Sequence, residues 1–261
     1  METKTINNQS KKVILFFAGW GMDWHPFSHL STSEYDVVIF YNYTNLEADF
    51  PLHKTLQEAS QINIIAFGTG VWAASSMFDR YFYQLSQKGR FRSLRILKKI
   101  NKSIALNGTL CPVSNIWGIP QRLFNSTLSA LNKELDTNKY TMGSSKCIKK
   151  YLWRMCKNED EYNKYLSAPS QRGLEDVRNE LMALKENYIF SNSIFWNKIV
   201  IGSDDISIPA KNQLRFWSEY ELGIDRSSKF SLNANDFSIT QIQEAHFPFF
   251  NWEKWEEILA L

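Results

Sequence analysis

Three short segments carry residues that could do chemistry, and they come in a fixed chain order: Gly68-Thr69-Gly70, then Asp204-Asp205, then His246. The first lies in Asn63-Ile-Ile-Ala-Phe-Gly-Thr-Gly-Val-Trp-Ala-Ala74, where an apolar run enters a small-residue turn and leaves as an amphipathic segment. That is the setting of a Gly-x-Ser-x-Gly elbow, whose central residue is lifted out of a strained strand-to-helix turn beside a helix N-terminus. Counting back from Gly70 puts Gly68 at the centre. Glycine accepts the positive φ of such a turn at little steric cost, so the shape is expected to survive while the attacking atom is missing. Thr69 is the nearest hydroxyl, but it stands one residue late and would attack only if the turn shifted register. Taken alone, the segment also suits a glycine-rich turn that binds phosphate or nothing.

The second segment, Ile199-Val-Ile-Gly-Ser-Asp-Asp-Ile-Ser-Ile-Pro209, is an apolar run that ends at two carboxylates before a proline opens a helix. An acid at a strand's C-terminal end can orient a histidine. Asp205 is favoured over Asp204 because it lies four residues before Pro209, the Asp-x-x-x-Pro spacing of many α/β-hydrolases; both acids could instead cap the next helix. The third segment is Glu244-Ala-His-Phe-Pro-Phe-Phe250. Of the histidines, His25, His29 and His53 precede the elbow, which leaves His246 as the base in the order nucleophile, acid, histidine. A histidine beside aromatics can also be simple core, and the joint ordering is what singles this one out. A fourth segment, Phe16-Phe-Ala-Gly-Trp-Gly-Met-Asp23, follows the first apolar run and suits an oxyanion loop. Its Trp20 N–H and the N–H of Thr69 are the expected donors to a carbonyl oxygen gaining charge.

These residues need a frame. Short apolar runs at Val13 to Ala18, Asp36 to Tyr41, Asn63 to Phe67, Ser103 to Leu106 and Lys198 to Ile201 read as buried strands. Helical patterns at Val71 to Gln87 and Ala210 to Leu222 lie between or after them, so the expected class is α/β with a mostly parallel central sheet flanked by helices. From 112 to 190 the alternation stops. Helical patterns at Pro120 to Leu135, Lys146 to Cys156, Glu159 to Leu166 and Leu174 to Tyr188 predict a helical cap inserted in a single domain of 1–261, over the strand ends where such sheets place ligands. The chain has 261 residues, is 44% hydrophobic and 15% aromatic, and has a formal charge of +3. It is long enough for a large core, while its charge does not mark a nucleic-acid binder.

The polar stretch Met1 to Lys12 and the short run after it make neither a signal segment nor a membrane span, so a cytoplasmic protein is expected. Cys111, Cys147 and Cys156 lack metal-ligand spacing and cannot all pair, so neither zinc nor disulfides are expected. Lys146, Lys149, Lys150, Arg154 and Lys157 recur at near-helical spacing, and Arg80, Lys88, Arg90, Arg92, Arg95, Lys98, Lys99 and Lys102 form a second basic run. Either could steer an acidic partner or be an ordinary solvated face.

Several strings together resemble the BioG-type pimeloyl-[acyl-carrier-protein] methyl ester esterase family of α/β-hydrolases: Phe16 to Asp23, Val71-Trp-Ala-Ala74, Ala105-Leu-Asn-Gly-Thr109, Gly118-Ile-Pro120, Arg154-Met-Cys156 and Ala245-His-Phe-Pro-Phe249. The resemblance implies an esterase of biotin synthesis that demethylates a pimeloyl methyl ester on an acyl carrier protein, with no metal or cofactor. It implies Ala-Trp-Ser-Met-Gly where this chain reads Ala66-Phe-Gly-Thr-Gly70, a departure at the residue that would form the acyl-enzyme. Little activity is expected of the sequence as written. A non-catalytic binder of acyl-carrier protein or acyl ester, and a hydrolase or acyltransferase using Thr69, remain the alternatives.

Overall fold

A strand buried on both faces of a parallel sheet has no polar side to show, so it reads as an unbroken apolar run. In the computed structural model, which describes residues 1–47, 50–87, 95–137, 139–186, 196–222 and 237–261, the runs in the sequence become such strands. They are β2 (Lys12–Phe17), β3 (Asp36–Tyr41), β4 (Gln61–Phe67), β5 (Ile100–Leu106) and β6 (Lys198–Gly202), each a little longer than its apolar core or displaced from it by a residue. Two edge strands complete the seven-stranded sheet, β1 (Glu2–Ile6) and β7 (Ser238–Ile242), in the order β1-β3-β2-β4-β5-β6-β7. Only β1 is antiparallel. The chain is an α/β protein with a mostly parallel central sheet flanked by helices.

The polar start of the chain, for which no element was expected, contains the edge strand Glu2–Ile6. Its side chains are largely exposed, as suits an edge, and no apolar run marks it. The Met1 ammonium is anchored, donating to Asn45 Oδ1 at 2.8 Å and to the Glu47 carbonyl at 2.7 Å.

Helices α1 (Leu52–Glu58), α2 (Gly70–Gln87), α7 (Ala210–Leu222) and α8 (Trp255–Ala260) follow strands or close the chain. Between β5 and β6 come α3 (Gln121–Asp136), α4 (Lys146–Met155), α5 (Glu159–Ser167) and α6 (Leu174–Glu186), with α3 packed on α6. The end of the expected helix at Tyr188, like the last residues of the 112–190 segment, lies outside the described residues. Two of these helices start on side-chain caps. Ser145 accepts from the Ile148 N–H at 3.0 Å and Asn158 from the Glu161 N–H at 3.0 Å, each taking up an otherwise orphaned donor. No helix among the described residues is long and apolar enough to cross a membrane.

Because β2, β4, β5, β6 and β7 run parallel, their C-terminal ends share one edge, and the turns leaving them carry every segment singled out above. Two turns touch there. β4 exits through Gly68 at φ +57°, while β5 exits through Asn107-Gly108. A Cβ on Gly108 would stand 2.2 Å from the Gly68 carbonyl oxygen and 2.6 Å from Val71 Cγ2, so the close crossing admits only hydrogen. Gly108→Ala is therefore expected to destabilise the fold by about 1–3 kcal/mol, as forced overpacking does. For a chain of this size that lowers Tm by roughly 2–4 °C per kcal/mol in a thermal melt. An unchanged Tm would mean that the two turns part easily.

Candidate functional site

His246 sits beyond β7, buried at 3% exposure, with its Nδ1 2.7 Å from Asp205 Oδ2. A carboxylate accepts, so the Nδ1–H donates to Asp205 and Nε2 faces away from it. Asp205, also 3% exposed, holds its place through further donors: the N–H groups of Ser207 and Ile208 reach Oδ1 at 2.8 and 2.9 Å, and Gln213 Nε2 reaches Oδ2 at 2.8 Å. The Asp204 carboxylate instead accepts from Ser203 Oγ at 3.5 Å on the surface, the Asp204 N–H donates to the Glu244 carbonyl at 3.1 Å, and the residue has no hydrogen bond to His246. The helix-capping alternative for Asp205 is partly real, since Oδ1 does serve the turn into α7, while Oδ2 is turned to the imidazole.

Gly68 faces this pair. A Cβ built on it would lie 3.4 Å from His246 Nε2 and 3.7 Å from Gly19 Cα, which is ordinary contact. The free valence of the turn thus points at the imidazole from a distance at which one added hydroxyl would reach it. On the other side, the loop Ala18–Asp23 leaves β2, and the backbone N–H groups of Trp20 and Thr69 have no hydrogen-bond partner among the described residues. Thr69 is buried and its Oγ1 is likewise unpartnered. Unbonded buried donors are costly, and they are expected where a ligand completes them.

A cavity of about 190 Å³ opens over these groups. Trp20, Thr69, Ser207 and His246 form its polar end, and Ile119, Leu123, Phe124, Leu181 and Ile208 supply most of its apolar wall. Tyr151, Lys150 and Arg154 reach it from α4. Cys147 also lines it, but burial pushes its thiol up to about 11, with Glu134 adding to the rise, so it is protonated near neutrality and no substitute nucleophile. No group of three or more His, Cys, Asp or Glu suited to a metal occurs among the described residues.

The basic residues divide. Lys146 and Lys149 are exposed on α4, Lys150 and Arg154 border the cavity, and these four have no ion-pair partner among the described residues. Lys157 is committed to Glu244 at 3.1 Å. In the second run, Arg80 pairs with Glu47 at 3.8 Å, and Lys99 and Lys102 donate to backbone carbonyls of Gln57 and Leu259. Lys88, Arg90 and Arg92 lie outside the described residues. The other histidines are engaged elsewhere: His25 with Asp23 at 2.9 Å, His29 with the Phe249 carbonyl at 3.0 Å and His53 with the Tyr81 hydroxyl at 2.8 Å.

Sequence reasoning missed the groups that hold the segments in register. Asn107, in the left-handed region at φ +48°, donates through Nδ2 to the carbonyls of Ala245 (3.1 Å) and His246 (2.8 Å), and its Oδ1 accepts from Gly202 N–H at 2.6 Å. Its one sequence signal is the Asn-Gly pair, a turn signature. Gln213 and the buried Arg172–Glu180 pair left no signal, because a polar residue on a helix normally faces water.

Comparison with known proteins speaks to the family and the fold. The family model described as pimeloyl-ACP methyl esterase BioG matches residues 1–258. A malonyl-[acyl-carrier protein] O-methyltransferase of Bacteroides fragilis is 33% identical over 212 residues, covering 80% of this chain and 37% of the relative, so the chain spans little more than a third of that protein's length. The crystal structure of BioG from Haemophilus influenzae is similar with a TM-score of 0.71 at 24% identity, over 98% of this chain and 99% of that one. A thermophilic esterase of Thermogutta terrifontis follows at 0.60 and 11% identity, over 99% and 89%. At these identities the structural likeness speaks for the fold, and the match along nearly the whole sequence speaks for the family: the chain belongs to the pimeloyl-ACP methyl esterase BioG family.

Proposed function

We propose that this chain is a methyl-ester hydrolase of the Ser-Asp-His kind, with 112–190 as its cap and every catalytic part present except the nucleophilic side chain. One observation carries the reading: a side chain at Gly68 would start 3.4 Å from the Nε2 of an imidazole whose Nδ1 is already bonded to Asp205. In a glycine-rich phosphate turn, a histidine–carboxylate pair would have no reason to face the central residue.

With serine at 68, His246 Nε2 takes the Oγ proton as Oγ bonds to the ester carbonyl carbon. The oxyanion is held by the N–H groups of Trp20 and Thr69. The C–OCH₃ bond then breaks and methanol leaves with the proton from Nε2. Water, deprotonated by the same nitrogen, releases the acid and restores the serine. The apolar cavity suits an alkyl chain ending in that ester. Lys150 and Arg154 at its border, with Lys146 and Lys149 outside, suit the phosphate arm and acidic surface of an acyl carrier protein. Without the serine, loss of a triad nucleophile costs on the order of 10⁶ in turnover, so the chain itself turns over little.

A second reading has its own observation: Thr69 Oγ1 is buried, unpartnered and in the cavity wall, as an attacking hydroxyl would be. The third, a binder of acyl ester or acyl carrier protein without turnover, needs only the cavity. One assay separates all three. Hydrolysis of a pimeloyl-acyl-carrier-protein methyl ester and of a short aryl ester is measured for the chain, Gly68→Ser and Thr69→Ala. Activity arising only in Gly68→Ser is the expected outcome. Activity in the unaltered chain that Thr69→Ala removes would establish the second reading, and inactivity of Gly68→Ser would leave the third.

In the Gly68→Ser background, Asn107→Ala releases the His246 backbone and leaves Gly202 N–H unbonded. It is expected to lower kcat at least ~10-fold, since small misplacements of a catalytic group are that costly. A kcat within twofold of the parent would show that β7 alone places the histidine. The basic border predicts a salt effect as well. Raising ionic strength from ~0.01 M to ~0.15 M shortens the screening length from about 30 Å to about 8 Å and should reduce kcat/KM for the carrier-bound ester several-fold, but not for the aryl ester. Equal salt responses would remove α4 from carrier-protein recognition.

A further inference from the structure

The loop that offers the Trp20 N–H has no secondary structure to hold it, yet its geometry must be fixed to a few tenths of an ångström if it is to receive an oxyanion. The contacts that fix it come chiefly from outside the sheet. Tyr43 Oη donates to the Ala18 carbonyl at 2.8 Å, where the loop begins. At its centre, the Gly21 N–H donates to Glu180 Oε2 at 3.2 Å, and the Trp20 indole N–H donates to the Val177 carbonyl at 2.9 Å. At its end, Asp23 Oδ2 accepts the Gln171 N–H at 2.8 Å. Val177 and Glu180 belong to α6, and Gln171 to the turn before it.

Glu180 is the junction of these contacts. It is 3% exposed, and besides Gly21 it accepts the Tyr43 N–H on Oε1 at 3.1 Å. One carboxylate thereby ties the loop after β2 to the loop after β3. Arg172 supplies the charge that makes this tolerable: its Nη1 lies 2.5 Å from Glu180 Oε2 and its Nε 3.0 Å from Asp176 Oδ2. Burial works against the Arg172 cation, but Glu180 and Asp176 more than offset it, and its pKa stands above the ordinary guanidinium value. Packing alone would not call for such a pair, since apolar residues of similar volume fill a core as well or better. What an apolar replacement cannot do is accept two backbone N–H groups from two different loops.

We propose that Glu180, paired with Arg172, is a positioning residue for the oxyanion loop, so that the Trp20 amide is presented correctly only when α6 is docked on the strand ends. The helices between β5 and β6 then do more than wall the cavity, because their seating sets the catalytic geometry. This inference rests on the esterase reading of the site, and two independent measurements keep it separable from that reading.

The first measurement is amide hydrogen exchange of the unaltered chain against Glu180→Gln and Arg172→Lys. A glutamine keeps one accepting oxygen but loses the charge and the second acceptor. Faster exchange confined to Gly21, Met22 and Tyr43, with the β4 and β5 amides unchanged, is expected. Unchanged exchange at those three amides overturns the proposal, whether or not any ester is hydrolysed. The second measurement is steady-state kinetics of the same substitutions in Gly68→Ser. Loss of an oxyanion donor's alignment acts on the transition state, so kcat should fall about 10- to 100-fold while KM changes less than about threefold. A merely structural role would lower the amount of folded enzyme and Tm but leave kcat per folded molecule intact, and that result also overturns it. If Gly68→Ser is inactive, the esterase reading fails and the exchange experiment still decides whether Glu180 fixes the loop. If Glu180→Gln does not fold, Arg172→Lys, which keeps the charge but loses the forked geometry, carries both measurements.

Discussion

The site depends on one side-chain amide. Parallel strands deliver their C-terminal ends to a common edge, but each end then leaves through its own turn, and nothing in the ladder sets how the turns lie against each other. Asn107 does so. Its backbone N–H bonds Val200 on β6, its Oδ1 takes the Gly202 N–H at the end of that strand, and its Nδ2 holds the carbonyls of Ala245 and His246. The following residue, Gly108, lets the β4 turn at Gly68 lie against it. The turn at Gly68, the strand that leads to Asp205, and His246 thus share one fixed point.

This explains why the fold was largely legible in the sequence and the site only partly so. Buried parallel strands must be apolar on both faces, and the runs in β2 to β6 could hardly be missed. The edges obey no such rule: Glu2-Thr3-Lys4-Thr5-Ile6 pairs with β3 on one side only, and its exposed residues look like any solvated tail. The residues that meet at the strand ends were visible where the residue type is rare and its place along the chain is distinctive, as with His246 after Asp205 after the turn at Gly68. The supports were not. Glu180 and Gln213 sit on helices whose polar residues ordinarily face water, and only the folded chain shows that they face inward. A pattern with period 3.6 records which face is apolar but does not record a carboxylate recruited into that face by an arginine eight residues before it.

The helical segment between β5 and β6 illustrates the same point at larger scale. Its amphipathic helices could be placed from periodicity, yet periodicity is silent on what they dock against. In the folded chain α6 lends Val177 and Glu180 to the loop after β2, while α4 lends Tyr151, Lys150 and Arg154 to the cavity. One helix shapes the polar end of the site and another its border. The border of the cavity and the loop after β2 are then both shaped by elements that belong to neither the sheet nor the turns.

The glycine at 68 is best understood against this background. A residue with a Cβ at φ +57° carries strain on the order of 1–3 kcal/mol, which active sites retain because the nucleophile needs that position. Glycine relieves it, so exchanging serine for glycine leaves the turn at least as stable while deleting the attacking atom. The groups around it gain nothing from that exchange. Asp205 and His246 remain buried, and the Thr69 hydroxyl and the Trp20 and Thr69 amides remain without partners among the described residues. Each of those orphaned groups costs about 1–3 kcal/mol if nothing completes it. A fold free to relax around this turn would lower its energy by closing the space or pairing the donors, and this one keeps the space open with His246 lining it. A polar group brought into this cavity would meet the Trp20 and Thr69 amides, the Thr69 hydroxyl and the His246 ring together.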